Sequence, residues 1–567
     1  MISIYLDPAL NKWLSQVKFS MEYMLNISGF SFKYLEENTE LKPNDVILYY
    51  SPEYPKDDYA KWMIENHTFI YIPFVKDFYV PGTYNGDTLK SYIDILKYSI
   101  ELPFISAKRL TGNPILIHGQ NKNKYCKYEF DIIGNIFFHM SDDERDHLKN
   151  KDKSNNYHLE ELGFYEYFYI PYVNHYIDGF SKIIIELMEN KSQWQIKRCL
   201  WPNNQLFAAI ISHNVDKLEK WNVGSIIANF WETFIHILKF RIGLNFRNTF
   251  GILRIIFTND EDYWNFDTIN RIIKKYKFRS TWFFSIDIEK KKNRLDYDIA
   301  ESELLKEIQG IVKNGSEIAL LNQSKDKSKE TLSSELNGLL NITKTQKTGI
   351  RHTDCFGDIE RLDTVHAELG LKYSSTRKIR EKNAFYNGFT TPYPVYINNA
   401  GLEGKFPYEI PVVFSDKHLM VKKYKPLSFT DAMKAVKECI QKVKDVKGLF
   451  HISFTNSLFH DINYMPRLLE YIVDDVKNHN SFVGTCSEII DWLHKRDQIE
   501  VLEEKNKIII RFSEHIDQIT FEVIGTYRIL NVLGGNASFK RNTVQFINVT
   551  PGLEVEVVLI EGDQISE

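Results

Sequence analysis

Two polar residues follow a short apolar run at a spacing that suits hydrolytic chemistry. The run FAAIIS, Phe207 to Ser212, predicts a buried strand, and Asn214 and Asp216 come soon after it. Side chains two apart on an extended chain point the same way. Two carboxylates at this spacing could divide the work, because one can bind a metal ion while the other takes a proton. Here only Asp216 is a carboxylate, and the amide of Asn214 has no useful basicity.

One carboxylate is too few for a catalytic zinc ion, which usually has three protein ligands. The residues that could rebuild such a site are His213, His352, Asp354 and His451. His213 alternates to the opposite face from Asn214. His451 precedes Thr455 by four residues on one predicted strand and so lies roughly 13 Å deeper, at about 3.3 Å per residue. We interpret it as a core histidine, which leaves a relocated site of His352, Asp354 and Asp216 as the open alternative.

The elements that must position these residues alternate between strands and helices from about residue 205 to 495. STWFFSI, EIALL and LFHISF are strand-like, and Phe266, Ile269, Ile272 and Ile273 share one face of a predicted helix. Gly315 predicts a left-handed helix end, Pro466 a helix start, and Thr485 with Glu488 a capping box. Such alternation favours a parallel sheet that is closed or wound by crossover helices.

The rest of the chain divides into two further regions. Residues 1–200 mix apolar strand-like runs with helical stretches and predict an N-terminal α/β domain. Residues 201–496 form the central domain. Residues 497–567 alternate polar and apolar residues between Gly and Asn, which predicts a small antiparallel β domain of sandwich type. This last domain is interpreted as a packing cap, with a carbohydrate-binding module as the alternative.

The central domain resembles the polysaccharide deacetylase family, in a bacterial branch with an N-terminal domain of unknown function. Several short motifs of that family are matched in the correct order. They are Ser212-His213-Asn214-Val215-Asp216, Trp264-Asn265-Phe266-Asp267, Thr281-Trp282-Phe283-Phe284, Gly315-Ser316-Glu317-Ile318-Ala319-Leu320-Leu321, Gly349-Ile350-Arg351, Tyr373-Ser374-Ser375-Thr376, Glu409-Ile410-Pro411 with Asp416, and Phe454-Thr455-Asn456. In the N-terminal domain, Pro114-Ile115-Leu116 and the run from Asp131 to Phe138 match further landmarks. The resemblance implies a distorted (β/α) barrel of polysaccharide-deacetylase type.

Members of that family remove acetyl groups from N-acetylated sugars with a divalent metal ion, usually zinc. The resemblance implies that Asp216 is the metal aspartate, that Arg351 orients the base, and that positions 214 and 455 carry the base and the acid. This sequence departs from the pattern, because those two positions are Asn214 and Thr455. A metal histidine is replaced by Leu321, and Lys325 stands where many members have a second histidine. Removing a general base alone typically costs about 10²–10⁴ in rate, so we expect little or no hydrolysis.

Three functions therefore stay open, and whether the chain is an enzyme is undecided. The first is a pseudoenzyme that retains a carbohydrate cleft, with Asn214, Arg351 and Thr455 as degenerate catalytic positions. His213, His352, Asp354 and Asn456 are its candidate binding residues. Asp216 is then a vestigial metal ligand that forms a leftover buried ion pair with Arg351, and no cofactor is expected. The second is an active amidohydrolase of N-acetylated sugars that uses zinc through an altered site. A third is a structural partner of an active paralogue.

Composition narrows the partners and the compartment. The net charge of −4 comes with no basic stripe, which argues against nucleic acid. The five cysteines are scattered without a CxxC pair, so neither a disulfide framework nor a cysteine zinc site is indicated. No apolar run approaches the roughly 20 residues of a membrane span. The N-terminus has no signal-like pattern, so we expect a cytoplasmic protein.

Overall fold

The computed structural model describes most of the chain. It covers residues 1–561 except 37–40, 84–89, 94–101, 107–112, 120–123, 147–160, 189–192, 220–261, 287–294, 325, 347, 354–358, 379–382, 398–406, 423–424 and 505. Two residues of the predicted site, Lys325 and Asp354, lie outside the described residues. Within the described part, no helix is both long and apolar enough to cross a bilayer.

The N-terminal region is built on a six-stranded sheet. The strands of the whole region are β1 (Ile2–Leu6), β2 (Phe32–Tyr34), β3 (Val46–Ser51), β4 (Thr68–Pro73), β5 (Lys90–Ile93), β6 (Leu102–Ile105), β7 (Ile115–His118) and β8 (Tyr125–Tyr128). Its helices are α1 (Leu14–Ser28), α2 (Asp58–Asn66), α3 (Ile132–Ser141), α4 (Asp143–Asp146) and α5 (Tyr172–Met188). The order is β2-β1-β3-β4-β8-β7, parallel except for β7, while β5 and β6 form a separate hairpin. Helices α1, α3 and α5 contribute to the core on one face, and Met63 of α2 packs among Ile47, Tyr49, Phe69 and Tyr71 on the other.

The central region contains a curled and mainly parallel sheet. After β9 (Trp194–Arg198), the strands of the whole region are β10 (Phe207–Val215), β11 (Thr281–Phe284), β12 (Glu317–Asn322), β13 (Ile350–His352), β14 (Tyr373–Ser374), β15 (Tyr393–Pro394), β16 (Tyr408–Glu409), β17 (Phe414–Ser415), β18 (Met420–Lys422), β19 (Lys425–Pro426), β20 (Leu449–Thr455) and β21 (Ser481–Val483). Its helices are α6 (Phe266–Lys275), α7 (Ser302–Lys313), α8 (Lys329–Thr343), α9 (Ile359–Glu368), α10 (Phe429–Asp445), α11 (Asn456–Asp461), α12 (Met465–Asn478) and α13 (Cys486–Asp497). The mixed α/β architecture predicted for this region is confirmed.

One short segment joins the two ends of the curled sheet. The order is β15-β16-β14-β13-β12-β11-β10-β20-β17, so β17 lies at one end and β16 is next to the last strand at the other. They are separated along the chain by only four residues. Ile410 N donates to Ser374 O (2.8 Å) at one end, and Val413 N donates to His451 O (3.1 Å) at the other. Because of this bridge, the inward side chains of β10, β13 and β20 face a common interior.

Strand β10 is longer than its sequence predicted. The apolar run ended at Ser212, but the strand continues to Val215 because Ser212 to Val215 pair with Thr281 to Phe284 of β11. The opposite edge of β10 pairs with β20 as far as Asn214 and Thr455. Asn214 therefore lies on the strand and faces the interior.

The C-terminal strands form two antiparallel sheets. They are β22 (Glu500–Glu503), β23 (Lys507–Arg511), β24 (Ile516–Gly525), β25 (Tyr527–Leu533), β26 (Ala537–Lys540), β27 (Thr543–Val549) and β28 (Glu554–Glu561). One sheet has the order β22-β23-β28-β25 and the other β26-β27-β24-β9. Strand β9 precedes residue 200, yet it pairs with β24, from Phe521↔Arg198 to Gly525↔Trp194. The region at 194–198 is thus shared with the C-terminal strands, and the domain boundaries stay predictions.

The tight approach of β13 to β14 gives a testable requirement for Gly349. A Cβ at Gly349 would meet the ring of the buried Tyr373 at well under van der Waals distance. Overpacking of this kind costs about 1–3 kcal/mol, so we expect Gly349→Ala to destabilise the fold by that amount in denaturant unfolding. Gly310→Ala is the matched control, because a Cβ there meets nothing within 4 Å on helix α7. The control should stabilise by roughly 0.5–1 kcal/mol, and equal effects of the two changes would contradict the packing argument.

Candidate functional site

Arg351 lies at the centre of the sheet interior and is completely buried. Strand β13 points its side chain inward, where the guanidinium stacks on the Phe283 ring with 4.0 Å between its central carbon and the ring centroid. Its hydrogen bonds to the chain are six in number. Arg351 Nε donates to Ser375 O (3.0 Å). Its Nη1 donates to Ser212 Oγ (3.1 Å), Asn214 Oδ1 (2.8 Å) and Ser453 Oγ (3.1 Å). Its Nη2 donates to Ser375 Oγ (2.9 Å) and His451 Nε2 (3.0 Å).

Every one of these acceptors is neutral. Burial lowers the pKa of the Arg351 guanidinium to about 10, which still leaves it charged at neutral pH. The sequence interpretation of a buried ion pair between Asp216 and Arg351 is therefore wrong. The reason is that Asp216 lies beyond the end of β10 and turns to a different partner, whereas Arg351 reaches the strand itself.

Asn214 is held by two internal hydrogen bonds. Its Oδ1 accepts from Arg351 and its Nδ2 donates to Ser453 Oγ (3.0 Å). The side chain is buried. The position at which the deacetylase resemblance requires a base therefore carries an amide whose donor and acceptor are both used within the protein.

Asp216 binds the first turn of helix α11. Its Oδ1 accepts from Ser457 N (3.0 Å) and its Oδ2 accepts from Ser457 Oγ (2.7 Å). Burial raises the pKa of Asp216, and the bonds from Ser457 oppose that rise. Both oxygens of the metal-aspartate position thus have a structural role at a helix N-terminus, where a negative charge is favoured.

Thr455 and Asp416 form a second buried pair beside Asp216. Asp416 Oδ2 accepts from Thr455 N (2.5 Å) and Oδ1 accepts from Thr455 Oγ1 (3.0 Å). Burial raises the pKa of Asp416 to about 7, a rise that the charge of Asp216 supports and the bonds from Thr455 oppose. The residue at the general-acid position is thus a hydroxyl that donates to a fully buried carboxyl.

The raised pKa of Asp416 predicts a pH-dependent cost to stability. The unfolded carboxyl loses its proton near pH 4, whereas the folded one holds its proton until about pH 7. The folded state therefore binds more protons between these values, and stability falls as pH rises through them. We expect Asp416→Asn, whose Oδ1 can accept from Thr455 N while its Nδ2 donates to Thr455 Oγ1, to gain stability relative to the native chain from pH 4 to 7. Unfolding curves at pH 4.5 and 7.0 measure this, and a constant difference would contradict it; Asp517→Asn on the exposed surface is the control.

His213 faces away from Asn214, on the side of β10 that the helices cover. Its ring lies 4.3 Å from the Trp282 centroid and 5.8 Å from that of Phe454. Neither ring nitrogen has a hydrogen-bond partner among the described residues. Burial lowers the pKa of His213 to about 3, so the ring is neutral. The structure does not bring this predicted binding residue to the interior.

His352 belongs to a buried chain of polar groups. Asn322 Nδ2 donates to Glu335 Oε2 (2.8 Å), so Asn322 Oδ1 is free to accept from His352 Nδ1 (2.9 Å). His352 Nε2 then accepts from His366 Nε2 (3.0 Å). Burial lowers the pKa of His352 well below its usual value and that of His366 to about 3. This arrangement is a pair of neutral histidines rather than a charged one.

The remaining predicted positions are also used internally. Asn456 Nδ2 donates to Lys217 O (2.7 Å) and Tyr263 O (2.7 Å). Leu321 is buried in an apolar cluster with Phe283 and Tyr373. No contact joins His352 to Asp216, so these two members of the relocated metal site are not brought together. Asp354, its third member, lies outside the described residues.

The described residues do not fit a catalytic zinc ion. Asp216 is the one carboxylate at the family's ligand positions that the structure describes, and Leu321 offers no donor atom. Among the described residues, no group of three or more His, Cys, Asp or Glu side chains could hold a metal ion. Three protein ligands are the usual minimum for catalytic zinc, and the described residues do not supply them.

Sequence reasoning missed several members of the polar interior. Ser212, Ser375 and Ser453 all contact Arg351. A period of two was the available signal, because Ser212 shares a strand face with Asn214, and Ser453 shares one with Thr455. His451, interpreted from the sequence as a core histidine, is fully buried, and the long Arg351 side chain reaches down to its Nε2.

Comparisons with known proteins find likeness in fold. No family model and no curated protein matches the chain. A solved protein of Mycobacterium smegmatis described as a polysaccharide deacetylase is similar, with 15% identity over 54% of this chain and 96% of its own, at a TM-score of 0.35. A second, from Pseudomonas aeruginosa and described in the same way, has 13% identity over 52% and 94%, also at 0.35. The peptidoglycan deacetylase of Bacillus subtilis has 11% identity over 52% and 93%, at 0.24. These structures are of the family that the motifs resemble, and at such scores the likeness carries nothing about the site.

Proposed function

We propose that this chain is a polysaccharide-deacetylase-like protein of bacterial carbohydrate metabolism that does not hydrolyse its ligand. It would instead bind carbohydrate or help to assemble a surface-polysaccharide pathway in the cytoplasm. The observation that carries this proposal is the closed polar interior. The resemblance requires a base at Asn214, a metal ligand at Asp216 and an acid at Thr455. The polar side-chain atoms of these three residues all form hydrogen bonds within the protein.

Accessibility supports the same conclusion. Arg351, Asn214 and Thr455 are all buried, and the guanidinium bonds inward side chains of both β10 and β20. A substrate amide would have to displace hydrogen bonds that a buried cation makes, and such bonds are the strongest kind in this interior. Fold by itself confers no activity, so the proposal rests on these residues and not on the barrel.

The alternative is an active metal-dependent hydrolase of N-acetylated sugars, with zinc as its cofactor. It is favoured by the retained Asp216 and by Asp416, whose pKa of about 7 suits proton transfer at neutral pH. Against it, Asp416 is fully buried and both of its oxygens bond Thr455. A purely structural role beside an active paralogue is the third possibility, and co-purification with that paralogue would favour it.

Metal analysis of the purified protein separates the first two functions. We expect less than a tenth of an equivalent of zinc after dialysis against zinc-containing buffer, and no release of acetate from chitohexaose. Stoichiometric zinc that Asp216→Ala abolishes, while the exposed Asp517→Ala leaves it intact, would overturn the proposal. Acetate release that depends on Asp216 or Asp416 would establish the alternative.

A further inference from the structure

We propose that an exposed aromatic platform on helix α2, formed by Tyr59 and Trp62, binds the sugar rings of an uncharged or cationic glycan. This proposal rests on the proposed carbohydrate-binding function and gives it a site outside the filled interior. The two rings lie with their centroids 5.9 Å apart and their planes within 14° of parallel. They are 55% and 44% exposed, among the most exposed large apolar side chains described. Nearly parallel exposed rings offer flat apolar faces on which a pyranose ring can stack.

The platform is held in place from beneath. Met63, which directly follows Trp62 on α2, is buried against the sheet. The Trp62 ring meets the His67 ring edge to face, with centroids 5.4 Å apart. Asn66 Nδ2 donates to Trp62 O (2.8 Å), which closes the last turn of the helix. A ring fixed in this way loses little freedom when a ligand binds, and preorganisation of this kind improves affinity.

The surroundings of the platform favour a glycan over a protein. Asp58, Lys61 and Glu65 share the helix with the two rings and are exposed, so their polar groups are accessible to sugar hydroxyls, although Asp58 and Lys61 also pair with each other. Two half-exposed aromatic rings offer a contact area on the order of 200 Å², because such side chains bury about 150–250 Å² of surface each when covered completely. A stable protein interface needs about 800 Å² on each side.

Local charge selects among ligands that stack on aromatic rings. Residues 53–66 hold four carboxylates and two lysines, a net charge of −2. Nucleic acids also stack on exposed aromatics, but their phosphates would be repelled here. Acidic polysaccharides are disfavoured for the same reason. Neutral N-acetylated sugars and positively charged amino sugars remain.

Titration calorimetry of the full chain with chitohexaose and with its fully deacetylated counterpart tests the platform. We expect at least one of the two oligosaccharides to bind, and Trp62→Ala and Tyr59→Ala each to weaken it tenfold or more. Trp62→Phe should keep most of the affinity, because it keeps an aromatic face. Phe539→Ala, which removes a 43% exposed ring from β26, is the matched control and should bind as the native chain does.

The other outcomes overturn the proposal in distinguishable ways. Binding that Asp216→Ala abolishes but Trp62→Ala leaves intact would return the sugar to the sheet interior, and the proposed function would survive without this site. Failure of the native chain to bind either oligosaccharide would overturn both the platform and the proposed carbohydrate-binding function. Sedimentation of the native chain and of Trp62→Ala gives one more arm: self-association that this change abolishes, without sugar binding, would make the platform a contact between copies.

Discussion

Replacing Arg351 with methionine is expected to lower the free energy of unfolding by about 3–5 kcal/mol, because several buried acceptors lose the donor that satisfies them. The change recovers the desolvation of the guanidinium. It also leaves Asn214 Oδ1, Ser375 O and His451 Nε2 in a space without their donor. Each unsatisfied buried acceptor costs about 1–3 kcal/mol, so the losses exceed the gain.

Denaturant unfolding followed by tryptophan fluorescence measures this effect, since Trp282 is buried on strand β11 next to Phe283, the ring that Arg351 covers. Arg467→Met is the matched control. Arg467 also lies over an aromatic ring, that of Phe429 at 4.6 Å, but it is exposed. We expect its loss to change stability by less than about 1 kcal/mol. Equal midpoints for Arg351→Met and the native chain would show that the guanidinium does not hold the interior together.

Replacing His213 with phenylalanine is expected to stabilise the protein, and to do so more strongly at lower pH. The folded ring has a pKa of about 3, whereas the unfolded one titrates near pH 6.5. Below pH 6.5 the unfolded state therefore binds the extra proton, and the native chain loses about 1.4 kcal/mol for each pH unit. At pH 5.0 this amounts to roughly 2 kcal/mol, which the phenylalanine variant avoids.

A second gain is independent of pH. Phenylalanine removes two ring nitrogens that have no partner among the described residues, and it keeps the contacts with Trp282 and Phe454. Unfolding curves of the variant and the native chain at pH 8.0, 6.5 and 5.0 separate the two contributions. His515→Phe changes an exposed histidine and should show no such growth toward acid pH. A stability difference that stays constant over the series would contradict a neutral buried His213.

Local signals in the sequence predicted much of the central region. Gly315 has a φ of 79° at the end of helix α7, Pro466 lies in the first turn of α12, and Thr485 with Glu488 forms the capping box of α13. Each of these is decided by neighbours in the chain, so a single sequence carries it. The opposite orientations of His213 and Asn214 followed from strand alternation for the same reason.

The contacts of the site were not predictable in this way. Arg351 bonds Ser375 and Ser453, which come from strands brought together by the curling of the sheet. One partner of His352 is His366 on helix α9, fourteen residues away in sequence. Nothing in the local pattern fixes such distances, and the ion pair expected between Asp216 and Arg351 was wrong for that reason.

The pairing of β9 with β24 has a consequence for how the chain folds during synthesis. Arg198 and Phe521 are register partners, so a ribosome adds 323 residues after Arg198 before Phe521 is in place (521 − 198). At a translation rate of about 5–20 residues per second, β24 is synthesised roughly 16–65 s after β9. During that time the edge of β9 is open to other chains, which is the condition that promotes misassembly. The last strands to emerge thus complete a sheet whose first strand is among the earlier products of translation, and chaperone demand should be greatest just before β24 appears.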